Sequence, residues 1–128
     1  MKVYISGKID EEVICETTRQ KFARAEKKLK TDGYEVFNPC DQNWQAHLKA
    51  RYEKDRKTYQ PYTDGSMPDY YSYCLLRSLM ALSVKDAIYM LPDFLQGKAA
   101  KAEYAFAIAT GKLMIYDDEL YENGILRP

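Results

Sequence analysis

Apolar residues recur along this chain in two rhythms: short runs rich in β-branched and aromatic residues, and longer stretches with three- or four-residue spacing. Val3-Tyr4-Ile5, broken at Ser6-Gly7, predicts a first strand that enters a turn. Between residues 11 and 31, Ile14, Phe22, Ala25 and Leu29 fall along one helical face. Asp10 is placed to cap that helix, Glu11 and Glu12 suit the positive end of its dipole, Lys27, Lys28 and Lys30 suit its last turn, and Gly33 supplies the left-handed stop. Tyr34-Glu35-Val36-Phe37 then predicts a second strand, ended by Asn38-Pro39 because proline has no N–H for a ladder. A strand-helix-strand unit with a crossover of this length implies parallel pairing and a right-handed connection.

The pattern weakens between residues 41 and 68. Trp44, Leu48 and Tyr52 at four-residue spacing predict one helix, and the following Thr-Tyr-Gln-Pro-Tyr-Thr-Asp-Gly-Ser-Met-Pro has turn chemistry throughout, so this part reads as an insertion with a mobile loop. Asp69 is placed to cap a further helix ending near Val84, with Tyr73, Leu76, Leu79 and Met80 as its apolar stripe, widened by Leu75 and Leu82. Asp86-Ala87-Ile88-Tyr89-Met90-Leu91 is apolar after its first residue, as a strand covered on both faces would be, and Pro92 stops it. Residues 98 to 110 predict a helix closed by Gly111, and Leu113-Met114-Ile115-Tyr116 a last strand, with residues 117 to 121 forming a short helix or turn. The expected fold is α/β, a three-layer doubly wound sheet of flavodoxin or Rossmann type. It has four parallel strands, five if the insertion or the tail adds one. Residues 1–128 form a single domain.

Composition narrows the chemistry. Nineteen basic and nineteen acidic residues cancel, so no global charge favours nucleic acid or an anionic membrane as partner. No apolar run approaches the roughly 20 residues that span a bilayer, and the first residues read as a strand rather than a signal peptide, so a cytoplasmic protein is expected. Cys15, Cys40 and Cys74 are widely spaced, and His47 is the single histidine, which argues against a disulfide framework, a histidine-based triad or a histidine metal site. No cofactor and no metal is expected.

In an open parallel sheet, ligands sit outside the carboxyl ends of the strands, where loops run into helices. Those ends collect Tyr4, Ser6 and Gly7, then Asn38, then the loop from Pro92 to Gly97 with Asp93, then Asp117. The alanine-rich helix that follows carries Glu103, a carboxylate facing the crevice if the helix turns it inward; a glutamate there is equally an ordinary helix former. Ser6 fits either a ligand contact or satisfaction of its own strand end, and Asp93 either acid-base work or turn chemistry. Asp86 lies at the amino end of its strand, away from any ligand. Neither Gly-x-Gly-x-x-Gly nor a Walker lysine motif occurs. Six of the twelve tyrosines lie between Tyr52 and Tyr73, interleaved with Lys49, Arg51, Lys54, Arg56 and Lys57. They fit base stacking, a subunit interface, or packing of the insertion onto the body.

These residues resemble the nucleoside 2-deoxyribosyltransferase superfamily, and more closely its branch of small uncharacterised domains. The similar pieces are Val3-Tyr4-Ile5-Ser6-Gly7, Gly33-Tyr34-Glu35-Val36-Phe37-Asn38-Pro39, Asp86 to Pro92, and above all Gly97-Lys98-Ala99-Ala100-Lys101-Ala102-Glu103-Tyr104-Ala105-Phe106-Ala107, followed by Gly111-Lys112. The resemblance implies a nucleoside or nucleotide ligand, with Glu103 as the nucleophile at the anomeric carbon, Tyr4 orienting it, and Ser6 and Gly7 lining the sugar or phosphate region. The chain departs from the family pattern at three places. Gly97 stands where transferases carry an acid and phosphate-binding hydrolases a serine, Ala99 replaces a glycine, and Arg77 or Ser78 replaces an acid. The function expected is therefore a nucleoside- or nucleotide-binding protein that cleaves or transfers a 2-deoxyribosyl N-glycosidic bond. The alternative is a non-catalytic nucleotide-sensing or scaffold module with a degenerate site. Self-association into a homo-oligomer is expected from the aromatic surface of the insertion.

Overall fold

A computed structural model describes residues 1–9, 14–58 and 66–122. Its elements run β1 (Lys2–Ser6), α1 (Glu16–Thr31), β2 (Glu35–Phe37), α2 (Gln42–Thr58), α3 (Tyr70–Ser83), β3 (Ala87–Met90), α4 (Lys98–Ala109), β4 (Leu113–Tyr116) and α5 (Asp118–Glu122), with one 3-10 turn at Phe94–Gln96. The four strands pair in parallel in the order β2-β1-β3-β4. The chain therefore winds outward from β1 in both directions, and the β1/β3 boundary is where ligands meet such sheets. The fold is the expected three-layer α/β arrangement.

Strand alternation divides the core in two. Val3, Ile5, Ala87 and Tyr89 point to one face, where α1 covers them with Phe22, Ala25 and Leu29. Tyr4, Ile88 and Met90 point to the other, beneath Leu82 of α3 and Ala100 and Ala107 of α4. All four residues of β3 are buried, as its unbroken apolar run requires of a central strand. The α1 helix begins at Glu16, behind Cys15, rather than at residue 11; the expected cap at Asp10 and the acids at 11 and 12 lie outside the described residues. Gly33 (φ 92°) and Gly111 (φ 71°) occupy the left-handed region, where a side chain would be strained. Asp69 caps α3, accepting the Ser72 N–H at 2.8 Å. Asp86 accepts the Lys2 N–H at 2.8 Å and so ties down the start of β1.

One expectation is revised by the packing. The stripe expected to bury α3 does so only in part: Tyr73 and Leu82 are buried, whereas Leu76 and Met80 are 53% and 58% exposed. It is Leu82, with Ala81 beside it, that α3 packs into the core on that face of the sheet. In the insertion, α2 extends over 17 residues, with Leu48 buried. The Tyr52 ring meets Tyr70 and Tyr73 edge-on, each at 5.0 Å, while its hydroxyl donates to the Pro68 carbonyl at 3.1 Å. Tyr73 donates to Asp55 at 2.8 Å. These three tyrosines bind α2 to α3; most of the expected loop, residues 59 to 65, lies outside the described residues.

Candidate functional site

The inward stripe of α4 reads Ala100, Glu103, Ala107, a spacing of three and four that puts all three on the buried side. The small alanines let the helix lie close to the sheet, and the carboxylate between them is carried into the interior. Glu103 is 5% exposed. An unpartnered carboxylate there would be costly, and the sheet supplies the partners. On β1, Tyr4 and Ser6 are two residues apart and so share the face toward α4. The Tyr4 hydroxyl donates to Glu103 Oε2, and Ser6 Oγ donates to Oε1 at 2.7 Å.

Burial dominates the electrostatics of this cluster. Withdrawal from water pushes the Glu103 carboxyl up to about 7, against the opposing pull of the Tyr4 and Ser6 hydroxyls, which favour the anion. The Tyr4 phenol is raised well above its ordinary range, first by burial and then by the negative charge of Glu103, so it stays protonated as a donor. Ser78 of α3 lies beside the same phenol and partly offsets that shift. The arrangement can hold and release one proton near neutrality, or present a carboxylate oxygen to a developing cation.

Tyr4, Ser6 and Glu103 thus come together. The remaining residues expected at the site hold other contacts. A Cβ on Gly7 would fall 2.6 Å from Leu91 Cδ1, so glycine lets the end of β1 lie against the chain leaving β3. A Cβ on Gly97 would fall 2.9 Å from the Lys8 Cα, so glycine lets the loop after β1 cross the start of α4. Asn38 folds its own turn, accepting the Cys40 N–H at 2.8 Å and donating to Glu26 Oε1 at 3.0 Å. Asp93 accepts the Lys8 N–H at 3.1 Å and forms an ion pair with Lys21 of α1. Asp117 accepts the Tyr89 hydroxyl at 2.7 Å. Ser78 enters the sequence analysis only through the resemblance, as one of two positions where an acid is replaced; the leucine pattern of α3 pointed to a different inward face.

A cleft of about 310 Å³ opens between α1 and the carboxyl ends of β3 and β4, lined by Lys21, Arg24, Lys28, Tyr89, Asp93 and Asp117 among others. Tyr89 and Leu91, which border it, pack on the α1 face, so the sheet separates this cleft from Glu103. None of Tyr4, Ser6 and Glu103 lines this cleft. At 5% exposure, Glu103 is closed off from bulk water.

Among the described residues, no helix is long and apolar enough to cross a membrane. No curated protein and no solved structure matches the chain. The family described as a domain of unknown function, DUF4406, matches residues 1–116, a span that takes in β1 to β4 and the whole Tyr4-Ser6-Glu103 cluster, and the chain belongs to that family.

Proposed function

We propose that this protein binds a nucleoside or nucleotide and cleaves or transfers its 2-deoxyribosyl N-glycosidic bond, with Glu103 as nucleophile. The observation that carries this reading is the buried carboxylate on α4, bonded by a hydroxyl at each oxygen and titrating near neutral pH. Its agreement with the likeness to nucleoside 2-deoxyribosyltransferases, which calls for a tyrosine on the first strand beside the nucleophile, adds support. In this reading a Glu103 oxygen bonds to the anomeric carbon as the carbon–nitrogen bond breaks, and the electron pair leaves on the base, which takes up a proton. Water or a second base then attacks the same carbon and frees the carboxylate. Tyr4 and Ser6 hold the oxygens in place and stabilise the anion before attack.

The test is incubation with 2-deoxynucleosides and their 5-phosphates, with and without an acceptor base. Release of base by the wild-type protein and a loss of about 10³-fold or more in Glu103→Ala are expected, the scale seen when a catalytic nucleophile is removed. Equal rates for the two proteins would end the enzymatic reading. The near-complete enclosure of Glu103 favours a second reading, a nucleotide-binding module without turnover. In that case nucleotides raise the melting temperature while no base is released.

We also propose that copies of the chain associate through α3. Leu76, Met80 and Val84 succeed one another at four-residue spacing there, and each is more than half exposed.

A further inference from the structure

The chain has one tryptophan, and that residue stands two ring contacts from Glu103. Trp44 lies in the first turn of α2, just beyond the carboxyl end of β2, on the side of the sheet where ligands enter such folds. Its ring meets Phe37 edge-on, with centroids 4.9 Å apart and planes at 79°. Phe37 in turn stacks on Tyr4 at 5.3 Å and 14°. Tyr4 donates to Glu103, so three rings in contact join the start of α2 to the buried carboxylate.

The indole Nε1 is buried and, among the described residues, has no hydrogen-bond partner. An indole N–H is only ever a donor. Withdrawn from water without an acceptor, such a group is destabilising, so its position calls for an explanation. Phe37 is already taken up by Tyr4, Trp44 and the Lys85 ammonium, which lies 5.1 Å from its centroid. The ring able to take on a new partner is that of Trp44, which is half-buried and otherwise touches His47 at 5.7 Å.

We propose that Trp44 recognises the leaving group of the reaction proposed above: a planar nitrogen heterocycle whose face packs on the indole and whose acceptor takes the Nε1–H bond as the ring turns out of its buried position. This rests on that reaction and names the part of the substrate that α2 reads. A nucleobase has both an acceptor in the ring plane and a π face. A sugar or a phosphate has acceptors but no π face.

Because Trp44 is the sole tryptophan, its emission reports on its own surroundings. The experiment titrates the protein with free adenine, hypoxanthine, cytosine and thymine, and separately with 2-deoxyribose 5-phosphate, following Trp44 fluorescence and the melting temperature together. At least one base is expected to change the emission and raise the melting temperature, while the sugar phosphate leaves the emission unchanged. Trp44→Phe, which keeps a ring but removes the donor, is expected to weaken that base about tenfold, the worth of one hydrogen bond. Bases that leave both signals unmoved, or that stabilise wild type and Trp44→Phe equally, would overturn the assignment. No turnover is needed, so the two readings fail separately. Base release that depends on Glu103 but not on Trp44 removes this inference alone, whereas base binding at Trp44 without any Glu103-dependent release removes the glycosyl chemistry.

Discussion

A carboxylate taken out of water keeps its proton to higher pH, and Glu103 does so until about pH 7 because two hydroxyls only partly replace its hydration. The sign of the consequence for stability follows. Between the ordinary carboxylate value of 4.5 and about 7, the native protein holds a proton that the unfolded chain has released. The contribution of Glu103 is therefore fully present below pH 4.5 and is lost as the pH rises through 7, at roughly 1.4 kcal/mol for each unit between the two values. Glu103→Gln should match wild type in acid and exceed it in melting temperature at pH 8; parallel melting curves across that range would contradict the buried, titrating carboxyl. Activity runs the opposite way, since attack needs the anion, and should rise with pH through about 7. Tyr4→Phe removes a bond that favours the anion, so the rising limb should move to higher pH, with a loss of about tenfold at neutrality. Glu103 and Tyr4 were legible in the sequence because their surroundings are simple: an acid three and four residues from alanines that face a sheet, and a strand whose alternate residues share a side. Ser78 was singled out only by the resemblance, as an alternative to Arg77, since no local pattern distinguishes a serine near a phenol from one facing solvent.

At the scale of elements, the site depends on two close approaches of backbone. The loop after β1 crosses the start of α4 at Gly97 and lies against the chain leaving β3 at Gly7. Ion pairing of Lys21 with Asp93, together with the Lys8 N–H bond to the same carboxylate, ties α1 and that loop to the segment before α4. Gly97→Ala should therefore cost about 1–3 kcal/mol, as overpacking does, and depress activity further by shifting α4 relative to β1. An unchanged melting midpoint would show that the loop yields at no cost. Helix ends marked by Asp69, Gly33 and Gly111, and the strand ended by Pro92, were readable because each acts through its own backbone chemistry. The start of α1 was misjudged by about five residues, because acids and a capping residue before a helix also suit the segment leading into it. The inward face of α3 was misjudged because leucine is tolerated outside as well as inside.

For the molecule as a whole, the parallel strands and three layers followed from the alternation of strand and helix patterns. The order β2-β1-β3-β4 adds what no single segment carries, the pairing of β1 with β3 at the centre. The tyrosines of the insertion had three open readings, and for Tyr52, Tyr70 and Tyr73 packing within the chain is the one realised. Among the described residues, α3 keeps Leu76 and Met80 exposed in adjacent turns. Light scattering at micromolar concentration should accordingly give a mass above that of one chain, and Leu76→Glu with Met80→Glu should reduce it to one; a wild-type monomer would contradict association through this face. The central claim, that the enclosed carboxylate at position 103 bonds to a sugar, is tested most directly by the mass of the intact protein quenched in acid during turnover of a 2-deoxynucleoside. The account predicts a deoxyribosyl adduct on the peptide that contains Glu103, absent in Glu103→Gln. Base release without any adduct, at the same rate in both proteins, would contradict it.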